Sequence, residues 1–317
     1  MGFRIQAHAR LHVCLLDMNG SLGRINGSVG FSVSEPVLEL TARSDDGHSF
    51  PRYLGPYVRA YEKVEGSTRV RLEVKKRFET HVGLGFTTQA ALSTGAALDL
   101  LRGKRVNVRK LALIMGRGGT SGVGVASFEG GGALIIDLGH KTIGMQEFLP
   151  SGHTARPPAT VFARLPLPAH MRFVMAIPRA AAKRVSGSVE VKLFRRFAPV
   201  PSEQVERLSR LILFKLLPGA LEGDIGVLGE AVDDVQKLGF KKLEVEYQGE
   251  PVIELMKEGR RLGAAGSGMS SFGPSVYFVC SGDREARSVS AGLSPYAARV
   301  YVASPWNRGA LMERLPE

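Results

Sequence analysis

Long apolar runs are absent from this 317-residue chain. The longest, such as Leu111 to Met115, fall far short of the ~18 residues that span a bilayer. The N-terminus has no charged-then-apolar signal layout, and Gln6 stands where a myristoylation pattern requires Ser or Thr. Cysteine is scarce: Cys14 and Cys280 build neither a disulfide framework nor a zinc cluster. These absences set the expectation of a reduced, cytoplasmic protein with no membrane partner. His12, His81, His140 and His153 lack metal-ligand spacing. Neither a nucleophile elbow nor a His-Glu-x-x-His helix occurs, so hydrolase chemistry has no motif to stand on. The acidic pairs Asp45-Asp46 and Asp233-Asp234 read as turn or helix-face residues rather than an acid/base pair. Internal repeats and low-complexity tracts are missing too.

What is present is glycine and positive charge. Glycine contributes 38 residues, about 12% against a usual ~7%. Clustered glycine suits loops whose backbone approaches a ligand closely. Lys and Arg number 42 against 30 Asp and Glu, a net charge of +12. That surplus reads either as a phosphate-rich partner or as a solvated basic surface. The basic residues are scattered (Lys75-Lys76-Arg77, Arg102 to Arg105, Arg195-Arg196) with no aromatic-interleaved stripe, which favours the surface for most and a phosphate ligand for a few. A soft prior of ~150 residues per domain gives about two domains.

The first third alternates with period 2: Ile5, Ala7, Ala9, Leu11 and Val13 against Gln6, His8, Arg10 and His12. Further strands are expected at Val37 to Ala42 and Val70 to Val74. The period then becomes helical over Thr87 to Leu101, and Asn107 caps a second helix ending near Gly116. A glycine-rich loop, Gly116 to Gly132, precedes a strand at Ala133 to Leu138. The stretch 141 to 160 lacks periodicity and marks the domain boundary. Beyond it, strands are expected at Met171 to Pro178, Val276 to Cys280 and Val300 to Ala303. Helices are expected at Ser202 to Leu217, Asp224 to Leu238 and Arg287 to Ala298, with a Gly/Ser loop at Gly263 to Ser271. The sum is α+β with mostly antiparallel strands.

Three glycine-rich segments and one opening run carry the functional signal. Gly83-Leu84-Gly85-Phe86-Thr87-Thr88-Gln89 joins a strand to a helix, where free amides and the helix dipole favour an anion. It is neither a Walker loop nor a Rossmann fingerprint, and a turn needing positive φ is the competing reading. Arg117, Gly118, Thr120, Ser121 and Gly124 concentrate donors without acids, which suits an anion; a flexible loop is the alternative. Ser270 and Ser271 close the third segment, which reads as a pocket wall or as a tight turn. The run Arg10 to Gly30 delivers Asp17, Asn19 and Arg24 into a Gly-rich turn. Asp holds a metal or proton and Arg grips a phosphate or carboxylate; an Asx turn with a surface Arg is the plain alternative.

Taken together these segments resemble the GHMP kinase superfamily. They are most similar to a non-kinase branch, the archaeal β-ribofuranosylaminobenzene 5′-phosphate synthases of methanopterin biosynthesis. The matching stretches are RLHVCLLDMNGSLGRINGSVG, HVGLGFTTQAAL, GRGGTSGVGVASFEGGGALIIDLGH, RPPATVFARLPLP with RFVMAIP, LLPGALEGDIGVLGEAVDDVQ and GMSSFGPSVYF, from residue 10 to residue 278. The resemblance implies a ribosomal protein S5 domain 2-like N-terminal domain (1–160) and a ferredoxin-like C-terminal domain (161–317). It implies the condensation of phosphoribosyl pyrophosphate with 4-aminobenzoate, releasing carbon dioxide and pyrophosphate, with Mg²⁺ and a homodimer.

Carried onto this sequence, the resemblance makes Asp17, Asn19 and Arg24 the catalytic candidates. Gly83, Gly85, Thr87, Thr88, Gln89, Arg117, Gly118, Thr120, Ser121, Gly124, Ser270 and Ser271 become the phosphate binders. Asp17 and Asp224 become the Mg²⁺ candidates, with helix capping the competing role for Asp224. Val13-Cys14, Asn26, Phe272 and Phe86 depart from the family pattern, where Phe-Gly, Asp, Trp and Ser are expected. Phe86 speaks against an ATP-dependent small-molecule kinase, the second reading. A nucleic-acid binder, motivated by the charge, is the third.

Overall fold

The computed structural model describes residues 1–143, 147–154, 156–180 and 183–316. The chain opens with two long strands, β1 (Gly2–Asp17) and β2 (Arg24–Ser44). Helix α1 (Gly55–Glu65) and strand β3 (Val70–Lys76) follow, then helices α2 (Phe86–Leu101), α3 (Val108–Ile114) and α4 (Val123–Glu129). Strands β4 (Leu134–Asp137), β5 (His140–Lys141), β6 (Val161–Leu165) and β7 (Arg172–Pro178) come next. A helical stretch contains α5 (Ser188–Phe197), α6 (Ser202–Leu211), α7 (Leu217–Glu222), α8 (Ile225–Val235), α9 (Gly239–Gln248) and α10 (Glu250–Arg261). The chain continues through β8 (Gly266–Met269), β9 (Val276–Cys280), α11 (Asp283–Leu293), β10 (Ala297–Ala303) and β11 (Leu311–Arg314).

These strands form two antiparallel sheets. One runs β11-β1-β2-β4-β6, with β3 and β5 also pairing β2; the other runs β10-β7-β9-β8. Strand β3 keeps one wet face, with Val70 and Leu72 buried and Arg71 exposed. Helix α2 is buried almost all round, as its Ala/Leu-rich sequence requires. Asn107 caps α3 as expected, its Oδ1 accepting from the Lys110 amide at 3.0 Å. The two sheets share one apolar core: Phe31 on β2 meets Phe173 on β7 at 5.0 Å between ring centroids and Tyr277 on β9 at 6.2 Å.

Several elements differ from the periodicity reading. β2 runs unbroken from Arg24 to Ser44, because its Ser/Gly-rich first half pairs with β1 on one side and β4 on the other. The stretch Gly116 to Gly132, expected as loop, contains α4, whose Val123 and Ala126 pack on Ile135. Gly30 makes room for it: a Cβ there would lie 2.5 Å from Val123 Cγ1. The third Gly/Ser segment is a strand at its centre, β8, paired to β9. The last helix starts at Asp283 and ends at Leu293; Ser294 still has helical backbone angles, and Pro295, which has no N–H to donate, follows it. Helices α1, α5, α9 and α10 carry no expectation from periodicity. The division expected at 160 falls between strands of one sheet, since β6 pairs with β4, and β11 returns to pair with β1.

Candidate active site

A cleft with about 1030 Å³ of empty space opens where β1, α2, the loop before α4, α5 and α9 converge. The first glycine segment forms one wall. Gly85 adopts φ +86° and starts α2 with no side-chain cap; the Thr88 amide turns back to the Gly85 carbonyl at 3.1 Å, so the Phe86 and Thr87 amides are the ones left for a ligand. A Cβ at Gly85 would lie 2.9 Å from Arg10 Cγ, so glycine is needed for both conformation and space. Gly83, Gly85, Thr87 and Thr88 all line the cleft.

The second segment forms the facing wall with Arg117, Gly118, Thr120, Ser121 and Gly124. Arg117 lies over the Tyr57 ring at 5.6 Å and donates to its hydroxyl at 3.4 Å, while its Nε has no hydrogen-bond partner among the described residues. Thr120 spends its hydroxyl on the Leu149 carbonyl at 2.6 Å. Ser121 Oγ lies 2.8 Å from Ser28 Oγ, which donates in turn to the buried Asp137 carboxylate. Asp137 also accepts from the Gly122 and Gly139 amides, each at 2.9 Å. Burial pushes its carboxyl up to about 6, against these hydrogen bonds. Asp137 thereby fixes the backbone of the loop.

The remaining lining is supplied by β1 and the C-terminal elements. Arg10 and His12 project from one face of β1 into the cleft. Arg10 donates to the Gly83 carbonyl. Burial lowers its guanidinium to about 10, with Glu190 and Glu244 opposing, so it stays charged at neutral pH. Burial, with the charges of Lys241 and Arg10, holds His12 well below its ordinary value, so the ring is neutral. Neither His12 ring nitrogen has a hydrogen-bond partner among the described residues. Beneath it, Lys241 on α9 pairs with Glu244 and donates to the Ser271 carbonyl at 2.9 Å and the Met269 carbonyl at 3.2 Å. Phe194, Phe272 and Val185 give the cleft an apolar side.

The structure sorts the residues singled out from sequence. Gly83, Gly85, Thr87, Thr88, Arg117, Gly118, Thr120, Ser121, Gly124 and Ser271 come together around the cleft. Gln89 does not: it is fully buried and donates to the Gly124 carbonyl at 2.9 Å, tying α2 to α4. Ser270 is likewise a latch, accepting from the His12 amide at 2.9 Å and donating to the Gly83 carbonyl at 2.7 Å. Asp17, Asn19 and Arg24 lie outside the lining. Asp17 Oδ1 accepts from the Asn19 and Gly20 amides at 2.8 and 2.9 Å, the Asx turn. Asn19 donates to the Val200 carbonyl at 2.7 Å, and Arg24 to the Leu138 and Gly139 carbonyls at 3.0 and 3.1 Å. Asp224 is exposed and caps α8, accepting from the Val227 amide at 3.0 Å. Among the described residues, no three or more His, Cys, Asp or Glu side chains gather as a metal cage.

Residues 216–297 match the family model described as GHMP kinases C terminal. Solved structures share the fold along nearly the whole chain. Phosphomevalonate kinase of Streptococcus pneumoniae aligns with TM-score 0.69 at 10% identity, over 95% of this chain and 99% of that one. Homoserine kinase of Cytophaga hutchinsonii aligns with TM-score 0.66 at 16% identity, over 98% and 97%. Sequence likeness is far higher elsewhere. The chain is 38% identical to β-ribofuranosylphenol 5′-phosphate synthase of Methanothermobacter thermautotrophicus, over 97% of this chain and 98% of the relative. It is 39% identical to the Archaeoglobus fulgidus protein of that name, over 98% and 99%. The chain belongs to the β-ribofuranosylphenol 5′-phosphate synthase family. It carries the two-domain GHMP kinase fold.

Within this family member, Phe86 is the departure with the clearest structural meaning. Its ring is buried, edge-on to Phe78 at 5.4 Å and tilted against Tyr53 at 6.0 Å. At this position, where the resemblance leads to the expectation of Ser, the chain builds an aromatic support under the start of α2. Phe86→Ser is expected to cost about 3 kcal/mol in denaturant unfolding and to confer no ATP-dependent phosphoryl transfer. A loss below ~1 kcal/mol would contradict the support role.

Proposed function

We propose that this cleft joins the ribosyl 5-phosphate of phosphoribosyl pyrophosphate to a para-substituted benzoate, with loss of carbon dioxide and pyrophosphate. The observation that carries the reading is the near-full-length likeness to named synthases, placed on a cleft lined for anions. The relatives' name gives a phenol product, so the acceptor is 4-hydroxybenzoate; 4-aminobenzoate, whose product is the aminobenzene, is the alternative. No helix among the described residues is long and apolar enough to cross a membrane. A homodimer working in the cytoplasm completes the reading, on the family resemblance.

The first amides of α2, Thr87 and Thr88 face Arg117, Gly118 and Ser121 across the cleft. These groups hold the donor's pyrophosphate, and Arg10 adds a charge at its departure point. Preorganised donors aimed at developing negative charge are worth roughly 3–4 kcal/mol each. As pyrophosphate leaves, the ring carbon bearing the acceptor's carboxylate attacks the ribosyl carbon. The para substituent supplies the electrons, and loss of carbon dioxide restores aromaticity. Asp17 and Asp224 are engaged in a turn and a cap outside the cleft, so they do not offer a Mg²⁺ site there; Mg²⁺ would enter only as the counter-ion of pyrophosphate.

Ligand protection tests the reading against the kinase alternative. Phosphoribosyl pyrophosphate at ~100 times its Kd adds about 2.7 kcal/mol and raises Tm by several degrees. ATP at the same concentration leaves Tm unchanged. Protection by ATP alone would replace this reading with the kinase one.

A further inference from the structure

We propose that Glu190 is the base that takes the proton from the para hydroxyl of a phenolic acceptor seated against Phe194. This rests on the reading above. Helix α5 places Glu190 and Phe194 at i and i+4, hence on one face, and both line the cleft. Phe272 lies beside Phe194 at 6.0 Å between centroids, tilted 45°, so an aromatic wall adjoins the carboxylate. An acceptor ring lying on that wall directs its para substituent along α5 toward Glu190.

Glu190 is also the acid the rest of the site leaves unused. Glu244 is locked to Lys241. Glu190 has no hydrogen bond and no ion pair among the described residues, although it faces Arg10 on β1, Arg117 in the loop before α4 and Glu244 on α9. A charged, unpaired carboxylate would oppose both pyrophosphate and benzoate. It belongs in such a cleft as a group that gains a proton during the reaction. Burial and the Glu244 charge push it up to about 7, with Arg10 and Arg117 opposing.

The step balances. The acceptor's O–H bond breaks and its proton goes to Glu190. The oxygen lone pair moves into the ring as the carbon bearing the carboxylate bonds to the ribosyl carbon and the bond to pyrophosphate breaks. The bond to the carboxylate then breaks, its electron pair returns to the ring, and carbon dioxide leaves. The phenolate oxygen recovers the proton from Glu190. An amine at the para position needs no such base, because its neutral lone pair already donates and no N–H bond must break.

That contrast supplies the test, run on the full chain with phosphoribosyl pyrophosphate and each acceptor separately. Glu190→Gln is expected to lower kcat with 4-hydroxybenzoate ~100-fold or more, within the range for a lost general base. Its loss with 4-aminobenzoate stays below ~5-fold. In the unsubstituted protein, kcat with the phenol rises through a limb near pH 7, which Glu190→Gln flattens. Glu190→Asp, which keeps a carboxylate, restores part of the rate and the limb. Equal losses with both acceptors, or a loss repaired by raising Mg²⁺, would assign Glu190 to donor or metal binding and overturn the proposal. So would an unchanged rate with the phenol. Turnover of neither acceptor by the unsubstituted protein overturns the underlying reading, and this assignment with it.

Discussion

Lys241→Met is expected to destabilise the protein by about 3–5 kcal/mol, read as a shift of the denaturation midpoint. Lys241 is fully buried, and its ammonium serves three partners: the Glu244 carboxylate and the Met269 and Ser271 carbonyls. Methionine fills the volume and leaves all three unanswered. The penalty depends on pH with a defined sign. Burial already raises Glu244 above the ordinary carboxylate value, with Lys241 opposing. Removing the ammonium raises it further. A raised folded-state value gives stability that is present at low pH and lost as pH climbs through it. The deficit of Lys241→Met is therefore smaller at pH 5 than at pH 8. Lys241→Met with Glu244→Leu recovers part of the loss, because the unpaired charge is gone while the two carbonyls still lack their donor. A single-variant loss below ~1 kcal/mol, or one that shrinks at high pH, would contradict this account.

Arg10→Gln is expected to lower kcat/KM for phosphoribosyl pyrophosphate by about 100-fold to 1000-fold, the scale of one lost preorganised charge-stabilising group. Arg10 stands at the junction of the site. It reaches from β1 to the Gly83 carbonyl and packs where a Gly85 side chain would otherwise sit. Glutamine keeps a donor for Gly83 but removes the charge. Arg10→Lys keeps the charge and loses the planar fork, so it recovers only part of the activity. Full activity in Arg10→Gln with unchanged KM would remove Arg10 from the donor site.

Arg10 and His12 mark how far the sequence could be read. Their alternation with Leu11 and Val13 gave the strand, and two polar residues two apart share one face. Which face meets the cleft depends on Gly83 and on Ser270, 73 and 258 residues away. The glycine segment before α2 was legible because positive φ and a helix start are local requirements. The opening run was less so. Asp17, Asn19 and Arg24 have side chains able to bind anions or metals, but the turn and β4 supply backbone partners closer at hand. α4 was hidden because it is only seven residues long, with Gly124 inside it and Gly122 and Gly130 at its ends, and β8 because GSGM has no β-branched residue. Glu190 and Glu244 carry no signal of their own; burial beside Arg10 gives them their character. Many basic residues behind the +12 charge are paired at the surface, as in Arg195–Glu147 and Arg261–Glu258. Among the described residues, Arg10 and Arg117 are the two that line the cleft.

The central claim is that one site couples loss of pyrophosphate to loss of the acceptor's carboxylate. Purified protein with Mg²⁺, phosphoribosyl pyrophosphate and carboxyl-labelled 4-hydroxybenzoate tests it in a single reaction. The account predicts labelled carbon dioxide and pyrophosphate released in equal amounts, each requiring both substrates. Pyrophosphate released without labelled carbon dioxide, or neither released by folded protein, would contradict it.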